Sequence, residues 1–248
     1  MPTKWYDAKV IRIEDASSIT RRYWVKLEQE EPVTFKAGQF FTFDLPIHEK
    51  RTKRWRSYSI ASEPTEDNIF EFSIVQLEGG TGTDYLFNEV EVGSTIRMKG
   101  PSGVFVLPEL VETDLVFICT GTGVAPFRSM IRDHVRQGKP HKNIHLIYGT
   151  RYAENILYQA EFEALQKELP EFRYSVALSR EPDLSVLNPS LELKKGYVHQ
   201  YYLEEYREVR PDIQFYLCGW RNMIDEAVAN LRKKLGYDTK QVVFELYG

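Results

Sequence analysis

The sequence predicts two domains, an antiparallel β-barrel over residues 1–110 followed by an α/β domain with a doubly wound parallel sheet over residues 111–248. Three observations lead there. Up to about residue 107, apolar residues fall in short alternating runs divided by turn residues. Beyond about residue 112, compact apolar runs recur at intervals of about 25–40 residues with helical stripes between them. Between the two rhythms, Pro108, Glu109, Glu112 and Asp114 read as a linker. A chain of 248 residues and 29.0 kDa has room for one large domain or two modest ones, so the change of rhythm decides.

In order, the first half offers strand-like runs at residues 6–15, 20–26, 39–44, 56–61, 69–76 and 94–99. Turn signals separate them: Lys36-Ala37-Gly38, Glu63-Pro64, Gly79-Gly80 and Gly100-Pro101. One helical stretch, near residues 84–89, interrupts the series. Many short punctuated strands suit an antiparallel barrel. The second half offers apolar runs at residues 115–119, 144–148, 172–177, 213–218 and 242–244. Helical stripes fill the gaps: Phe127, Met130, Ile131 and Val135; Phe162, Leu165 and Leu169; Met223, Ile224, Ala227, Val228 and Leu231. Strands alternating with helices make βαβ units and a parallel sheet.

Composition narrows the function. With 42% hydrophobic and 27% charged residues, the chain is an ordinary globular one. A net charge of −4 and a pI near 5.8 argue against a general nucleic-acid binder, which needs clustered positive charge. The two cysteines, Cys119 and Cys218, fall short of the roughly four ligands an iron–sulfur cluster takes. The five histidines show no metal-ligand spacing, and the His141/His145 pair falls where a strand, not a helix, is expected. No apolar run reaches the length of a membrane span, and the N-terminus has no signal-peptide core, so the expected address is the cytoplasm.

Two glycine-rich turns carry the chemistry. Thr120-Gly121-Thr122-Gly123-Val124-Ala125-Pro126 follows an apolar strand and opens a helical stripe. Glycines let backbone N–H groups approach a phosphate, and the helix start adds unpaired donors. Pro126 stands where the common dinucleotide fingerprint has a third glycine, so a plain strand-to-helix turn is the alternative. In the first half, Glu78-Gly79-Gly80-Thr81-Gly82-Thr83-Asp84 opens the only helical stretch, and Arg56-Ser57-Tyr58-Ser59-Ile60-Ala61-Ser62 forms a strand with Arg56, Tyr58 and Ile60 on one face. That strand can present a guanidinium to a diphosphate and a ring to an aromatic ligand.

Taken in order, R-x-Y-S-x-A-S (56–62), G-G-x-x-T (from Gly79), G-P-x-G-x-F (100–105), G-T-G-x-A-P (121–126) and the Cys218-Gly219 pair resemble the ferredoxin-NADP reductase family over nearly the whole chain. The resemblance implies an FAD-binding barrel and an NAD(P)-binding α/β domain. It assigns Arg56 to the FAD pyrophosphate, Tyr58 to one face of the isoalloxazine, and Ser59, with Ser57 beside it, to the flavin edge near N5. Gly80, Gly82 and Thr83 become the second phosphate contact. Thr120, Gly121, Thr122 and Gly123 take the pyrophosphate of the pyridine dinucleotide, with Cys218 and Gly219 beside its nicotinamide. Tyr247 matches the family's terminal aromatic on the flavin, and Glu245 the family glutamate of proton delivery or partner binding. Ser179-Arg180-Glu181, with Arg151 on the preceding strand, resembles the segment that contacts the 2′-phosphate, favouring NADPH while leaving NADH open; Lys194, Lys195 or Tyr197 are candidates to complete that pocket. The implied function is hydride transfer between NADPH and FAD, with single electrons passing to a separate carrier, ferredoxin or flavodoxin, from a monomer. The basic run His48–Arg56 is a candidate steering surface for such a carrier. The alternatives are an NADH-dependent reductase component of an oxygenase, and a flavoprotein subunit or redox module that acts by docking.

Overall fold

A computed structural model of the chain describes residues 4–138, 141–185 and 187–247. It divides into two compact units, Met1–Leu107 with Ala125–Gly138, and Pro108–Val124 with Lys139–Gly248.

The first unit contains β1 (Trp5–Ser17), β2 (Thr20–Leu27), β3 (Phe40–Asp44), β4 (Trp55–Ser59), β5 (Ile69–Val75), α1 (Thr81–Asn88) and β6 (Thr95–Ser102). Its six-stranded sheet is antiparallel throughout, in the order β4-β3-β6-β1-β2-β5. The two ends of that order approach each other where the Ala61 N–H donates to the Glu71 carbonyl at 2.8 Å. Alternation places Tyr23, Val25 and Leu27 of β2 in the core. They join an aromatic cluster in which Phe41 lies 5.0 Å from Phe70 and Phe43 lies 5.0 Å from Phe72. The Tyr23 hydroxyl donates to the Leu86 carbonyl at 2.8 Å, pinning α1 to the sheet.

The turn expected at Gly100-Pro101 lies inside β6. A Cβ on Gly100 would stand 2.7 Å from Phe41 Cδ1, and its φ of +155° suits glycine, so the strand passes close over the core there instead of ending.

Helix α2 (Val124–Arg136) follows the first strand of the α/β half in sequence, yet from Ala125 onward it groups with the first unit. Its polar residues explain why. Arg128 donates to the Ala61 carbonyl at 2.8 Å and to Glu71 at 2.9 Å. Ser129 donates to the Ser62 carbonyl at 2.6 Å, and Arg132 clasps Glu63 at 2.6 and 2.8 Å. Glu71, almost fully buried, also receives Arg22 at 2.7 Å, so this buried carboxylate is held by two guanidinium groups.

The second unit comprises β7 (Asp114–Thr120), β8 (Ile144–Thr150), α3 (Gln159–Glu168), β9 (Phe172–Leu178), β10 (Glu192–Lys195), α4 (His199–Glu205), β11 (Ile213–Trp220), α5 (Arg221–Ala229) and β12 (Val242–Tyr247). Its six strands are parallel, in the order β10-β9-β8-β7-β11-β12. Asp114 opens β7 instead of closing a linker, because Arg210 at 2.7 Å and the Asn143 side chain at 3.0 Å hold its carboxylate. Strand β10 and helix α4 have no counterpart in the sequence expectations. Glu-Leu-Lys-Lys is too polar for a buried strand, and α4 buries Tyr201 and Tyr202 where an aliphatic stripe would be sought. Among the described residues no helix is long and apolar enough to cross a membrane.

Candidate functional site

In the first unit, β4 sits at the end of the strand order and carries the R-x-Y-S run. The Tyr58 ring packs 5.0 Å from Phe43. Its hydroxyl is buried without a hydrogen-bond partner among the described residues, and burial raises its pKa above the ordinary tyrosine value. An orphaned phenol beside a half-buried guanidinium is what a polar aromatic ligand would satisfy. Arg56 donates to the carbonyls of Lys53 at 3.0 Å and Trp55 at 2.8 Å, and its chain then crosses the start of α1. A Cβ on Gly82 would lie 3.0 Å from Arg56 Cγ and 3.1 Å from Nε, so glycine permits that approach.

Gly80 caps α1 without a side-chain acceptor, leaving the first amides of the helix without partners inside it. An open cavity of about 530 Å³ adjoins this turn, lined in part by Leu77, Gly79 and Thr81. Arg56 thus lies against Gly82 at the start of α1, where the helix end favours negative charge, while Glu78 and Asp84 also line the cavity. Ser59 is buried at the end of the same strand. Two other residues of these motifs have hydrogen-bond partners within the unit. Ser57 is exposed, sharing a hydrogen bond of 2.9 Å with Thr42. The Thr83 hydroxyl closes the turn itself, donating to the Gly80 carbonyl at 3.0 Å and accepting from the Leu77 N–H at 3.1 Å.

In the second unit the strand order reverses direction between β7 and β11, and ligands of open α/β sheets bind at the carboxyl ends of strands at such a point. Cys119 and Cys218 are register partners there, so Thr120–Gly123 and Gly219–Trp220 leave the sheet side by side. A Cβ on Gly123 would strike the Cys218 carbonyl oxygen at 2.4 Å, and one on Gly219, at φ +137°, would strike Thr120 Oγ1 at 2.5 Å. Both glycines are thus required for the two backbones to lie in contact. Strand β12 aligns Glu245 with Cys218 and Tyr247 with Trp220. Gly248, which follows Tyr247, lies outside the described residues. Burial raises the Cys218 thiol well above its ordinary value, the Glu245 charge adds to the rise, and a hydrogen bond with Tyr247 only partly offsets it. A thiol so placed stays protonated and serves as packing, not as a nucleophile.

Arg151 and Arg180 stand just beyond the carboxyl ends of the neighbouring strands β8 and β9. The Arg180 N–H donates to the Arg151 carbonyl at 2.9 Å, and the Ser179 N–H to the Thr150 carbonyl at 3.0 Å, which ties the two loops together. Both arginine side chains are exposed, and neither has an ion-pair partner among the described residues. Of the candidates to complete this pocket, Lys194 is paired with Glu204 and Lys195 donates to the Pro182 carbonyl, while Tyr197 is 68% exposed. His145 is engaged on both ring nitrogens, by Tyr206 at 2.7 Å and Ser175 at 2.8 Å. Trp220, half exposed beside Gly121, belongs to this edge although no sequence motif marked it.

Comparison with known proteins agrees with this division of labour. Residues 7–107 match the oxidoreductase FAD-binding domain family and residues 117–229 the oxidoreductase NAD-binding domain family. Ferredoxin-NADP reductase B of Sorangium cellulosum is 32% identical over 247 residues, covering 98% of this chain and 97% of the relative. The phenol hydroxylase P5 protein of Acinetobacter pittii is 31% identical over 228 residues, 91% of this chain but 61% of that longer protein. Among solved structures, the Amycolatopsis cytochrome P450 reductase GcoB superposes with a TM-score of 0.84 at 27% identity, covering 99% of this chain and 70% of that one. The matched FAD-binding and NAD-binding domains and the near full-length similarity to a ferredoxin-NADP reductase place this chain in the ferredoxin-NADP reductase family of FAD- and NAD(P)-binding oxidoreductases.

Proposed function

We propose that this flavin reductase takes its reducing equivalents from NADPH and delivers electrons singly to a separate carrier protein of the ferredoxin or flavodoxin type. In this reading residues 1–110 bind FAD and residues 111–248 bind the pyridine nucleotide, with Gly121, Thr122 and Gly123 on its pyrophosphate. When bound, the two cofactors supply hydride transfer and one-electron release. The chain's own residues bind and orient. Arg56 and the amides of Thr81 and Gly82 at the start of α1 balance the charge of the FAD diphosphate. Tyr58 offers its ring and its unpartnered hydroxyl, and Ser59 a hydroxyl at the flavin edge. Cys218 and Gly219 leave a small, apolar floor for the nicotinamide, Tyr247 stands at the same edge, and Glu245 is the candidate to deliver a proton.

The observation that carries the choice of NADPH is the pair of adjacent arginines, Arg151 and Arg180, exposed and without ion-pair partners at the carboxyl edge. The carrier reading draws on the near full-length similarity to a ferredoxin-NADP reductase and on a local basic surface. Asp44 takes up Arg54 at 2.8 Å and Arg51 at 3.9 Å, but Lys50 and Lys53 have no carboxylate partner among the described residues. Nearby, Arg97 and Lys99 lie 5.3 and 6.0 Å from the Trp5 ring, extending the positive face. Similarity to the phenol hydroxylase protein supports the second reading, an NADH-dependent component of an oxygenase. Steady-state reduction of a dye by NADPH and by NADH, followed by ferredoxin and flavodoxin as acceptors over a range of salt, separates the two. NADPH preference with salt-sensitive carrier reduction supports the first reading. NADH preference, with carrier rates indifferent to salt, contradicts it.

A further inference from the structure

Trp220 has a placement that ordinary core packing does not explain. It is the last residue of β11 and the cap of α5, in extended conformation, and its indole is 50% exposed although a ring of this size is normally covered. The backbone around it is closely built. Gly219 brings the chain against Thr120, and the Trp220 N–H donates to Thr120 Oγ1 at 3.4 Å. This lays the indole beside the glycine loop with its N–H edge foremost. The one atom within 4 Å of the position a Gly121 Cβ would occupy is Trp220 Nε1, at 4.0 Å. That nitrogen can only donate, and it has no acceptor among the described residues. The side of the loop toward which Gly121 is bare thus carries one side-chain donor.

We infer that the Trp220 indole N–H donates a hydrogen bond to the pyrophosphate of the bound pyridine dinucleotide, supplementing the backbone amides of Thr120–Gly123. The inference rests on dinucleotide binding at that loop and adds a donor that the glycine motif does not contain. It distinguishes donation from stacking, because phenylalanine keeps an aromatic ring and loses only the N–H.

The test uses the FAD-loaded protein and isothermal titration with NADP⁺ and NAD⁺, on wild type, Trp220→Phe and Trp220→Ala, with thermal melting and flavin content as controls. The exposed position lets both variants keep the wild-type melting temperature. Losing a hydrogen bond to a charged group weakens dinucleotide binding roughly ten-fold in both variants. Wild-type affinity in both variants overturns the inference. Full affinity in Trp220→Phe with loss in Trp220→Ala assigns the ring to stacking and also overturns donation. Weakened binding that tracks a lowered melting temperature marks a structural role and overturns it as well. Wild-type protein that binds neither dinucleotide removes the loop site itself, which is a separate failure.

Discussion

Replacing Gly123 by alanine sets a methyl group against the backbone of β11. The new Cβ falls 2.4 Å from the Cys218 carbonyl oxygen, 2.7 Å from its carbon and 2.8 Å from Gly219 Cα, where ordinary contact starts at 3.4 Å. These are backbone atoms, so no flexible side chain can swing aside, and the loop must move by about 1 Å. Overpacking of this kind costs about 1–3 kcal/mol. Misplacing a binding loop by about 1 Å costs on the order of 100-fold in rate. Gly121→Ala is the matched comparison. Gly121 has φ +54° but nothing nearer than Trp220 Nε1 at 4.0 Å, so alanine there meets only the left-handed backbone penalty of about 1–2 kcal/mol. Urea unfolding and dye reduction by NADPH measure both effects. Gly123→Ala should lower kcat/KM for NADPH on the order of 100-fold while FAD content stays at the wild-type level, since the flavin cradle lies in the other unit. Wild-type kcat/KM in Gly123→Ala, or loss of flavin with unchanged nucleotide kinetics, would refute the reasoning.

Three further outcomes are expected. Arg180→Glu should raise KM for NADPH by about ten-fold or more and leave KM for NADH nearly unchanged; equal effects on both would remove Arg180 from the 2′-phosphate contact. Arg128→Met strips one guanidinium from buried Glu71, while Arg22 remains at 2.7 Å, so urea unfolding should show a loss near the low end of the roughly 3–5 kcal/mol for a broken buried pair; unchanged stability would show that Arg22 alone suffices. His145 is held down to about 3 by burial and by the Arg173 charge, although Glu205 lies 3.8 Å away, because that carboxylate is already paired with Arg173. A histidine depressed in the folded state is protonated first in the unfolded chain, so stability falls as pH drops below about 6.5, by up to about 1.4 kcal/mol per pH unit. Glu63, kept low by its Arg132 hydrogen bond, acts in the same direction but only below the ordinary glutamate range. His145→Gln should reduce the slope of unfolding free energy between about pH 6.5 and 4.5, leaving the share of His199, which burial also holds low; an unaltered slope there would contradict the assignment.

What the sequence made legible followed from local spacing. Alternation located strands such as β2, which has one face on the core, and continuous apolar runs located β7, β8, β9 and β11, which are covered on both faces; the edge strand β12 is signalled only by its apolar residues 242–244. Glycine spacing marked the two turns where backbone or side chain approaches closely, at Gly82 and at Gly123 with Gly219, since such approach leaves few other residue choices. The misses depend on partners distant in the chain. Asp114 reads as a linker acid until Arg210 and Asn143 are placed beside it. Helix α2 reads as part of the second half until Ala61, Ser62, Glu63 and Glu71 are seen to receive its polar residues. Thr83 fits the phosphate motif, yet the turn uses its hydroxyl internally. Trp220 carries no motif at all, and only the register of β11 against β7 and β12 brings it to the loop.

The most direct measurement is an anaerobic titration of the purified FAD-loaded protein with NADPH, followed by flavin absorbance. Bleaching at one NADPH per flavin, with colour returning when oxidised ferredoxin or flavodoxin is added in excess, is the result expected of a nicotinamide-to-carrier relay. A flavin that stays oxidised in the presence of both NADPH and NADH would contradict it.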